Sequence, residues 1–115
     1  MMTRGPPEGR GAFSAEVFER EADTLRAMAH PKRLMIVEML GRRRESVSEI
    51  ARNLEIPLPN VSQHLRVMRD RGIVQAERTG QTVRYRLTNP ALRGCCAQIR
   101  RALRHGGRTQ ARGPH

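Results

Sequence analysis

Prolines and glycines divide the chain into short segments, and this division limits the helices and strands that it can form. Prolines stand at positions 31, 57, 59 and 90, and glycines at 41, 72 and 80. Proline inside a helix costs about 3 kcal/mol but is tolerated in the first turn, so each proline marks a helix boundary. The spacing predicts several short helices, none of which crosses these positions.

The composition limits the core that these segments can share. The chain has 115 residues, of which 37% are hydrophobic and only 3% are aromatic. This length suits one domain, and an aliphatic core with few aromatic residues favours helices over a β sandwich. We expect a domain over residues 14–105, a disordered N-terminal arm over 1–13 and a disordered basic tail over 106–115, because both ends are rich in glycine or proline.

Two helices are predicted before residue 45. Ser14 is a suitable N-cap for a first helix that runs to about Ala29, and Pro31 begins a second helix that ends at Gly41. The arginine run 42–44 is interpreted as a solvated helix end. The predicted apolar stripe of the first helix consists of Phe18, Ala22, Leu25 and Ala29, and that of the second consists of Leu34, Val37 and Leu40.

A second pair of helices follows, joined by a tight turn. Ser46 and Glu49 have the spacing of a capping box, which predicts a short helix through Leu54. Alternate prolines make residues 56–59 a turn, and a fourth helix is predicted over 60–71 with Gly72 after its end. One face of this helix carries the apolar residues Val61, Leu65 and Met68.

Alternating residues then predict a β hairpin. Strands are expected over 73–77 and 82–87, with a turn at 79–81, and Asn89-Pro90 begins a last helix. The stripe of that helix consists of Leu92, Cys96, Ile99 and Leu103. The fold class is therefore mainly α with a β hairpin, in the order ααα-α-ββ-α. This is the order of a winged helix-turn-helix, whose second helix of the pair enters the major groove of DNA.

Polar residues lie where such a fold would contact DNA. With one face of the fourth helix buried, asparagine and glutamine face outward and can pair with adenine, while arginines can bind guanine or phosphate. His64 is interpreted as a helix-packing residue or a phosphate contact. The predicted DNA-binding residues are Asn60, Ser62, Gln63, His64, Arg66, Arg69 and, in the hairpin, Arg78, Arg84 and Arg86.

The distribution of charge supports a polyanionic partner. The formal net charge is +11, and residues 78–115 contain nine arginines and no acidic residue, which accounts for +9 of it. The helix-turn-helix segment is nearly neutral. No apolar run approaches the roughly 20 residues of a membrane span, and the N-terminus has no hydrophobic signal core, so we expect a cytoplasmic, nucleoid-associated protein without a membrane partner.

Four segments carry a resemblance to a known family: LRAMAHPKRLMIVEML at 25–40, SEIARNLEI at 48–56, NVSQHLRVMRDRGIV at 60–74 and RTGQTVRYRL at 78–87. They resemble the ArsR/SmtB-type repressors of bacteria and archaea. The resemblance implies a homodimer formed through the first and last helices, a palindromic operator in double-stranded DNA, and release by an effector that is often a soft metal ion. It also implies base reading by Ser62 and Gln63, and backbone contacts by Arg66, Arg78 and Arg84.

The chain departs from the family pattern at three places. Pro57-Leu58-Pro59 replaces the polar residues that commonly begin the recognition helix, so we expect fewer direct hydrogen bonds to bases. Ser46-Val47-Ser48 stands where one family metal site has a Cys-x-Cys-like pair, and serine supplies no soft thiolate. The second family metal site uses carboxylates of the last helix, and the chain has none after Glu77.

Cys95 and Cys96, the two cysteines of the chain, remain as effector candidates. Paired last helices could bring four thiolates together for a thiophilic metal or metalloid. Alternatively, the neighbouring Arg93, Arg100 and Arg101 would lower a thiol pKa and favour oxidation or persulfidation. A third alternative is that the cysteines are buried apolar residues, since Cys96 lies on the apolar stripe. No cofactor is required by any of these alternatives.

Other functions are weighed against a repressor. An enzyme is not expected, because the sequence has no phosphate-binding glycine loop, no nucleophile–base set and no paired carboxylates beside a histidine. A non-specific architectural protein that binds DNA or RNA is an alternative, as is an interaction module whose basic tail binds an acidic protein. Specificity for one palindrome at fixed salt distinguishes a repressor from both alternatives.

Overall fold

The computed structural model describes residues 13–111, with side chains through Arg104. Within this range five helices surround a two-stranded antiparallel sheet. The elements are α1 (Ala15–Met28), α2 (Pro31–Leu40), α3 (Val47–Leu54), α4 (Leu58–Asp70), β1 (Val74–Thr79), β2 (Thr82–Leu87) and α5 (Ala91–Ala111). The predicted order and fold class are confirmed. In the described part of the chain no helix is both long and apolar enough to cross a membrane.

Local capping fixes the starts of the first two helices. The Ser14 hydroxyl accepts a hydrogen bond from the Val17 amide at 3.3 Å, as the predicted N-cap of α1. His30 caps α2, because its Nδ1 atom accepts a hydrogen bond from the Lys32 amide at 3.1 Å. Each cap satisfies an amide that lacks a partner in the first helical turn.

The helix-turn-helix is tighter than the sequence pattern predicted. The Ser46–Glu49 capping box is present at the start of α3. Glu55 then adopts a left-handed conformation with φ 54°, and α4 begins at Leu58, two residues before the predicted start. Pro59 is accommodated in the first turn of α4, where no intrahelical amide hydrogen bond is lost. The prediction that residues 56–59 form the turn is therefore corrected to Glu55–Pro57.

The wing is a regular hairpin with a two-residue turn. The strands pair from Val74 with Leu87 to Thr79 with Thr82, so Gly80 and Gln81 alone form the turn. Gly80 has φ 65°, a conformation that glycine adopts without strain. The predicted three-residue turn and first strand over 73–77 are corrected accordingly. A backbone bridge between Glu45 and Tyr85 ties the wing to the start of the helix-turn-helix.

The core lies between α2, α3, α4 and the wing. Its apolar side chains are aliphatic, as the low aromatic content predicted. The buried hydrophobic residues are Ala27, Met28, Ile36, Val37, Leu40, Ile50, Ile56, Val61, Leu65, Met68, Ile73, Val74, Leu87 and Cys96. The predicted inward face of α4 is fully buried, so its opposite face is presented to solvent.

The first and last helices pack differently from the prediction. In the single chain Phe18 and Leu25 of α1 are each 49% exposed, and Ile99 and Leu103 of α5 are 51% and 65% exposed. The core covers Leu92 and Cys96 of the predicted α5 stripe, but it leaves Ile99 and Leu103 exposed, as it does Phe18 and Leu25 of α1. α5 continues to Ala111, so the domain boundary predicted at residue 105 falls inside a helix. Glycines 106 and 107 weaken a helix but do not block it. Residues 1–12 of the arm predicted over 1–13, and residues 112–115 of the predicted tail, lie outside the described range.

Candidate nucleic-acid interface

The outward face of α4 gathers most of the predicted DNA-binding residues. Val61, Leu65 and Met68 hold the helix against the core. Their burial fixes which side chains face solvent, because residues one or two positions away lie on other sides of the helix. The exposed polar residues of α4 are Asn60, Ser62, Gln63, Arg66 and Arg69, together with Asp70 at its last position. Leu58 is exposed beside them, and an apolar side chain there could contact only the methyl group of thymine.

His64 does not belong to this exposed set. It is half-buried, and its Nδ1 atom accepts a hydrogen bond from Arg33 Nε of α2 at 3.2 Å. Its ring centroid lies 4.7 Å from that of His30. Burial, followed by the nearby charges of His30, Arg33 and Lys32, lowers the pKa of His64 below its usual value. Of the two interpretations of His64, these contacts favour packing between helices over phosphate binding.

The three wing arginines have different surroundings. Arg78 is exposed, and no ion pair of this side chain is found among the described residues. Arg84 lies 3.6 Å from a Glu49 oxygen, and 44% of its side chain remains exposed. Arg86 is engaged within the wing, because its Nε atom donates to Glu77 at 2.6 Å and its other nitrogens donate to Gln75 and to the Leu87 carbonyl.

Arg86 was predicted to contact DNA, but its hydrogen bonds give it a structural role within the wing. Its guanidinium pairs with Glu77 across the hairpin and lowers the pKa of that carboxyl group, with a smaller contribution from Arg44. A side chain held by three partners within one hairpin stabilises the wing itself. Arg78 and Arg84 keep more of their side chains available for phosphate.

Glu45, which the sequence analysis did not single out, anchors the base of the wing. It is 2% exposed, and its carboxylate accepts hydrogen bonds from Arg43 Nε at 2.5 Å and from Asn53 Nδ2 at 3.0 Å. Its backbone exchanges two hydrogen bonds with Tyr85. A buried carboxylate needs such partners, so Glu45 joins the arginine run, α3 and the wing. No periodic pattern in the sequence signals this position.

Glu38 makes a similar junction between α2 and α5. Its carboxylate pairs with Arg42, Arg93 and Arg100 at 2.8–3.0 Å. Hydrogen bonds from Arg42 and then Arg93 are the main reason that the pKa of Glu38 is lowered to about 2. Arg93 passes directly over Gly41, where an added Cβ atom would lie 2.6 Å from Arg93 Cβ. Glycine is therefore required at this point for a steric reason.

The two cysteines are separated by their surroundings. Cys95 is exposed, whereas Cys96 belongs to the buried core. Burial raises the pKa of the Cys96 thiol more than nearby Arg100 lowers it. The expectation that surrounding arginines lower a thiol pKa is therefore wrong for Cys96, because burial of this thiol outweighs the effect of Arg100. Among the described residues no group of three or more His, Cys, Asp or Glu side chains could hold a metal ion.

Known proteins share both the sequence pattern and this geometry. Residues 30–76 match the family described as "Bacterial regulatory protein, arsR family". The transcriptional repressor PagR of Bacillus anthracis is 38% identical over 78 residues, which cover 67% of this chain and 78% of PagR. The crystal structure of PagR superposes on this chain with a TM-score of 0.67 and a sequence identity of 34%. The superposition covers 73% of this chain and 97% of the PagR chain. The chain belongs to the ArsR family.

Two further relatives define how far this assignment extends. The transcriptional repressor SmtB of Mycobacterium tuberculosis is 39% identical over 74 residues, which are 64% of this chain and only 55% of SmtB. The homodimeric winged helix-turn-helix domain Mb0332 of Mycobacterium bovis superposes with a TM-score of 0.70, covering 99% of both chains at 22% identity. The likeness to Mb0332 shows the winged helix-turn-helix fold alone. The match to SmtB leaves almost half of SmtB without a counterpart.

Proposed function

We propose that this ArsR-family chain is a homodimeric transcriptional repressor that reads an inverted repeat in double-stranded DNA through α4. The observation that supports the proposal most strongly is the division of α4 into two faces. On one face, Val61, Leu65 and Met68 are at most 1% exposed. The other face exposes amide and guanidinium groups, which can pair with base edges and phosphates.

A dimer gives the uncovered helices a partner. Phe18 and Leu25 of α1 and Ile99 and Leu103 of α5 are apolar side chains that remain about half exposed or more in one chain. Contiguous exposed apolar surface of this kind is typical of an association surface. A two-fold dimer through α1 and α5 would present two copies of α4, and half-sites in such complexes lie about 34 Å apart along DNA.

The first experiment asks whether binding is specific. The full chain is used to select duplexes from a randomised pool, and the enriched sequence is examined by footprinting. We expect an inverted repeat whose half-sites are about ten base pairs apart from centre to centre. Enrichment without any repeat would support the alternative, a non-specific DNA- or RNA-coating protein.

Gln63→Ala tests base reading directly. Binding to the selected duplex should weaken by about tenfold or more, because a bidentate base contact contributes roughly 1–3 kcal/mol of discrimination. Binding to a scrambled duplex of equal length should change little. Equal losses on both duplexes would show that Gln63 contacts the backbone and not a base.

The signal that releases DNA is proposed to act at Cys95. This thiol is exposed, whereas burial and a raised pKa protect Cys96 from reaction. In a dimer, the last helices could also bring one Cys95 of each chain together for a thiophilic metal or metalloid. The Arg-rich surface of α5 around these thiols would favour anionic oxidants or persulfides.

The cysteine proposal is tested by measuring release of the selected duplex. Arsenite, soft metal ions, peroxide and a persulfide donor are added to wild type, Cys95→Ser and Cys96→Ser. We expect release from wild type and Cys96→Ser, and none from Cys95→Ser. Release from the double variant Cys95→Ser/Cys96→Ser would mean that neither thiol senses the signal.

A further inference from the structure

The seam between α2 and α4 contains a polar cluster that the proposed function does not use. Arg33 projects from α2 and donates to two acceptors on other helices. Its Nε atom donates to His64 Nδ1 at 3.2 Å, and a terminal nitrogen donates to the Ala27 carbonyl of α1 at 3.0 Å. One guanidinium thus connects the end of α1, the start of α2 and the middle of α4.

We propose that Arg33 and His64 are positioning residues that keep α4 in its DNA-reading orientation, and that they do so only while the His64 imidazole is neutral. The proposal rests on the DNA-reading role of α4 given above. It assigns to His64 a function opposite to that of a histidine that binds phosphate, because protonation would weaken DNA binding and not strengthen it.

The hydrogen-bond directions explain this requirement. A guanidinium only donates, so His64 Nδ1 must be unprotonated and the neutral ring carries its proton on Nε2. A proton added at His64 Nδ1 would remove the acceptor and place a cation against Arg33. The ring of His30 lies beside that of His64, with the centroids 4.7 Å apart and the planes tilted by 54°.

Most of the charges around His64 lower its pKa and so favour the neutral imidazole. From α2 and its cap, His30, Lys32 and Arg33 all disfavour a second positive charge. From the turn between α3 and α4, Glu55 lines the same recess of about 380 Å³ and is the single carboxylate there. Burial is the largest cause of the lowered pKa of His64, and the neighbouring positive charges add to it.

The position of the recess connects this cluster to DNA reading. Asn60 and Gln63, two of the exposed polar residues of α4, line the recess together with His30 and His64. A change in how His64 seats against α2 therefore alters the presentation of Asn60 and Gln63. Displacement of a reading side chain by even 1 Å disrupts a bidentate base contact, whereas contacts to phosphate tolerate it better.

The test measures binding at pH 7.5 and pH 5.5 at constant ionic strength, on the selected duplex and on a scrambled duplex. For wild type we expect the ratio of the two affinities to fall by a few fold at pH 5.5, because the lowered pKa of His64 leaves part of the imidazole neutral at this pH. His64→Gln retains a neutral acceptor for Arg33 and should hold the ratio constant across this range. His30→Gln is the matched control, because it keeps the cap acceptor and should remain acid-sensitive.

The outcomes separate this proposal from the proposed function. One outcome would identify His64 as a phosphate contact and overturn the proposal. In it, acidification raises the affinity of wild type for both duplexes, and this rise is absent in His64→Gln. A specificity ratio that does not change with pH would overturn it as well. Absence of any specificity in wild type at pH 7.5 would instead contradict the proposed function.

An independent readout uses the protein without DNA. Nitrogen NMR of His64 should show the Nε2–H tautomer and a pKa below about 6.5, the usual histidine value. Arg33→Met removes the donor and its charge, so the pKa should move up toward that value. A His64 that carries its proton on Nδ1 would overturn the proposed hydrogen bond directly, even if a DNA-binding variant failed to fold.

Discussion

Apolar side chains have different surroundings in the two layers of the molecule. In α2, α3 and α4, residues such as Ile36, Ile50 and Leu65 are at most 1% exposed. In α1 and α5, side chains of the same type, such as Leu25 and Ile99, are about half exposed. The first layer is complete within one chain, whereas the second needs another surface. The difference indicates that α1 and α5 contribute to the core only through residues such as Met28 and Cys96, and that their exposed apolar residues supply association.

The sharpest test of this comparison is a pair of leucine truncations. Leu65→Ala should lower the free energy of unfolding by about 3 kcal/mol, because it leaves a cavity in the core. Leu103→Ala, at a residue that is 65% exposed, should change it by less than about 0.5 kcal/mol when urea unfolding is measured at a protein concentration low enough that the chain is monomeric. Equal losses would contradict the division into two layers.

The association layer is tested by placing a charge in it. Ile99→Asp should weaken dimerisation about a hundredfold, since an unpaired carboxylate would be buried when the two surfaces meet. Sedimentation velocity over a dilution series measures the change. Thr79→Asp introduces the same charge on the wing and serves as the control. A dimer that tolerates Ile99→Asp would place the interface elsewhere.

The junction between the layers should be sensitive to acid. The pKa of Glu38 is lowered to about 2, so its pairing stabilises the fold above its unfolded pKa, which is near 4.3, and this contribution disappears as the pH falls toward 2. We expect a loss of about 1 kcal/mol between pH 5 and pH 3, reduced from the ideal value by solvent screening. Urea midpoints of wild type and Glu38→Gln should therefore converge in this range. Parallel pH profiles would argue against the junction.

The smallest effect concerns two arginines of the wing. Arg78→Ala should weaken binding to any duplex by a few fold and reduce the magnitude of the salt slope by about 1, since one phosphate contact is lost. Arg86→Ala removes a side chain that is already paired with Glu77, so the salt slope should stay nearly constant while the wing becomes less stable. The reverse pattern would mean that Arg86 leaves its partners when DNA binds.

The same two layers explain how much the sequence could predict. In the reading unit, caps and breakers act locally: Ser46 with Glu49 and the prolines near α4 define helices whose ends agree with the structure to within two residues. The exposed face of α4 follows from three buried residues. Local signals of this kind do not depend on what lies across the core.

Outside the helix-turn-helix, the features that the sequence did not predict depend on contacts between residues distant in sequence. Periodicity identified the stripes of α1 and α5 but could not show that the chain's own core leaves parts of them uncovered. The roles of Glu45, Arg33 and Arg86 depend on partners up to 40 residues away in sequence, such as Tyr85 for Glu45 and His64 for Arg33. The expectation that neighbouring arginines lower a thiol pKa fails at Cys96 for a similar reason, since the burial that raises the pKa of this thiol comes from the packing of the core.

The close passage of Arg93 over Gly41 has a consequence for the evolution of this fold. Any side chain at position 41 would collide with Arg93, so the arginine could no longer reach Glu38 along its present path. Positions 41, 93 and 38 are therefore expected to vary together among related sequences. A relative with a larger residue at 41 should have a short side chain at 93 and should not need a carboxylate at 38. Such covariation would trace the connection between reading and association across the family.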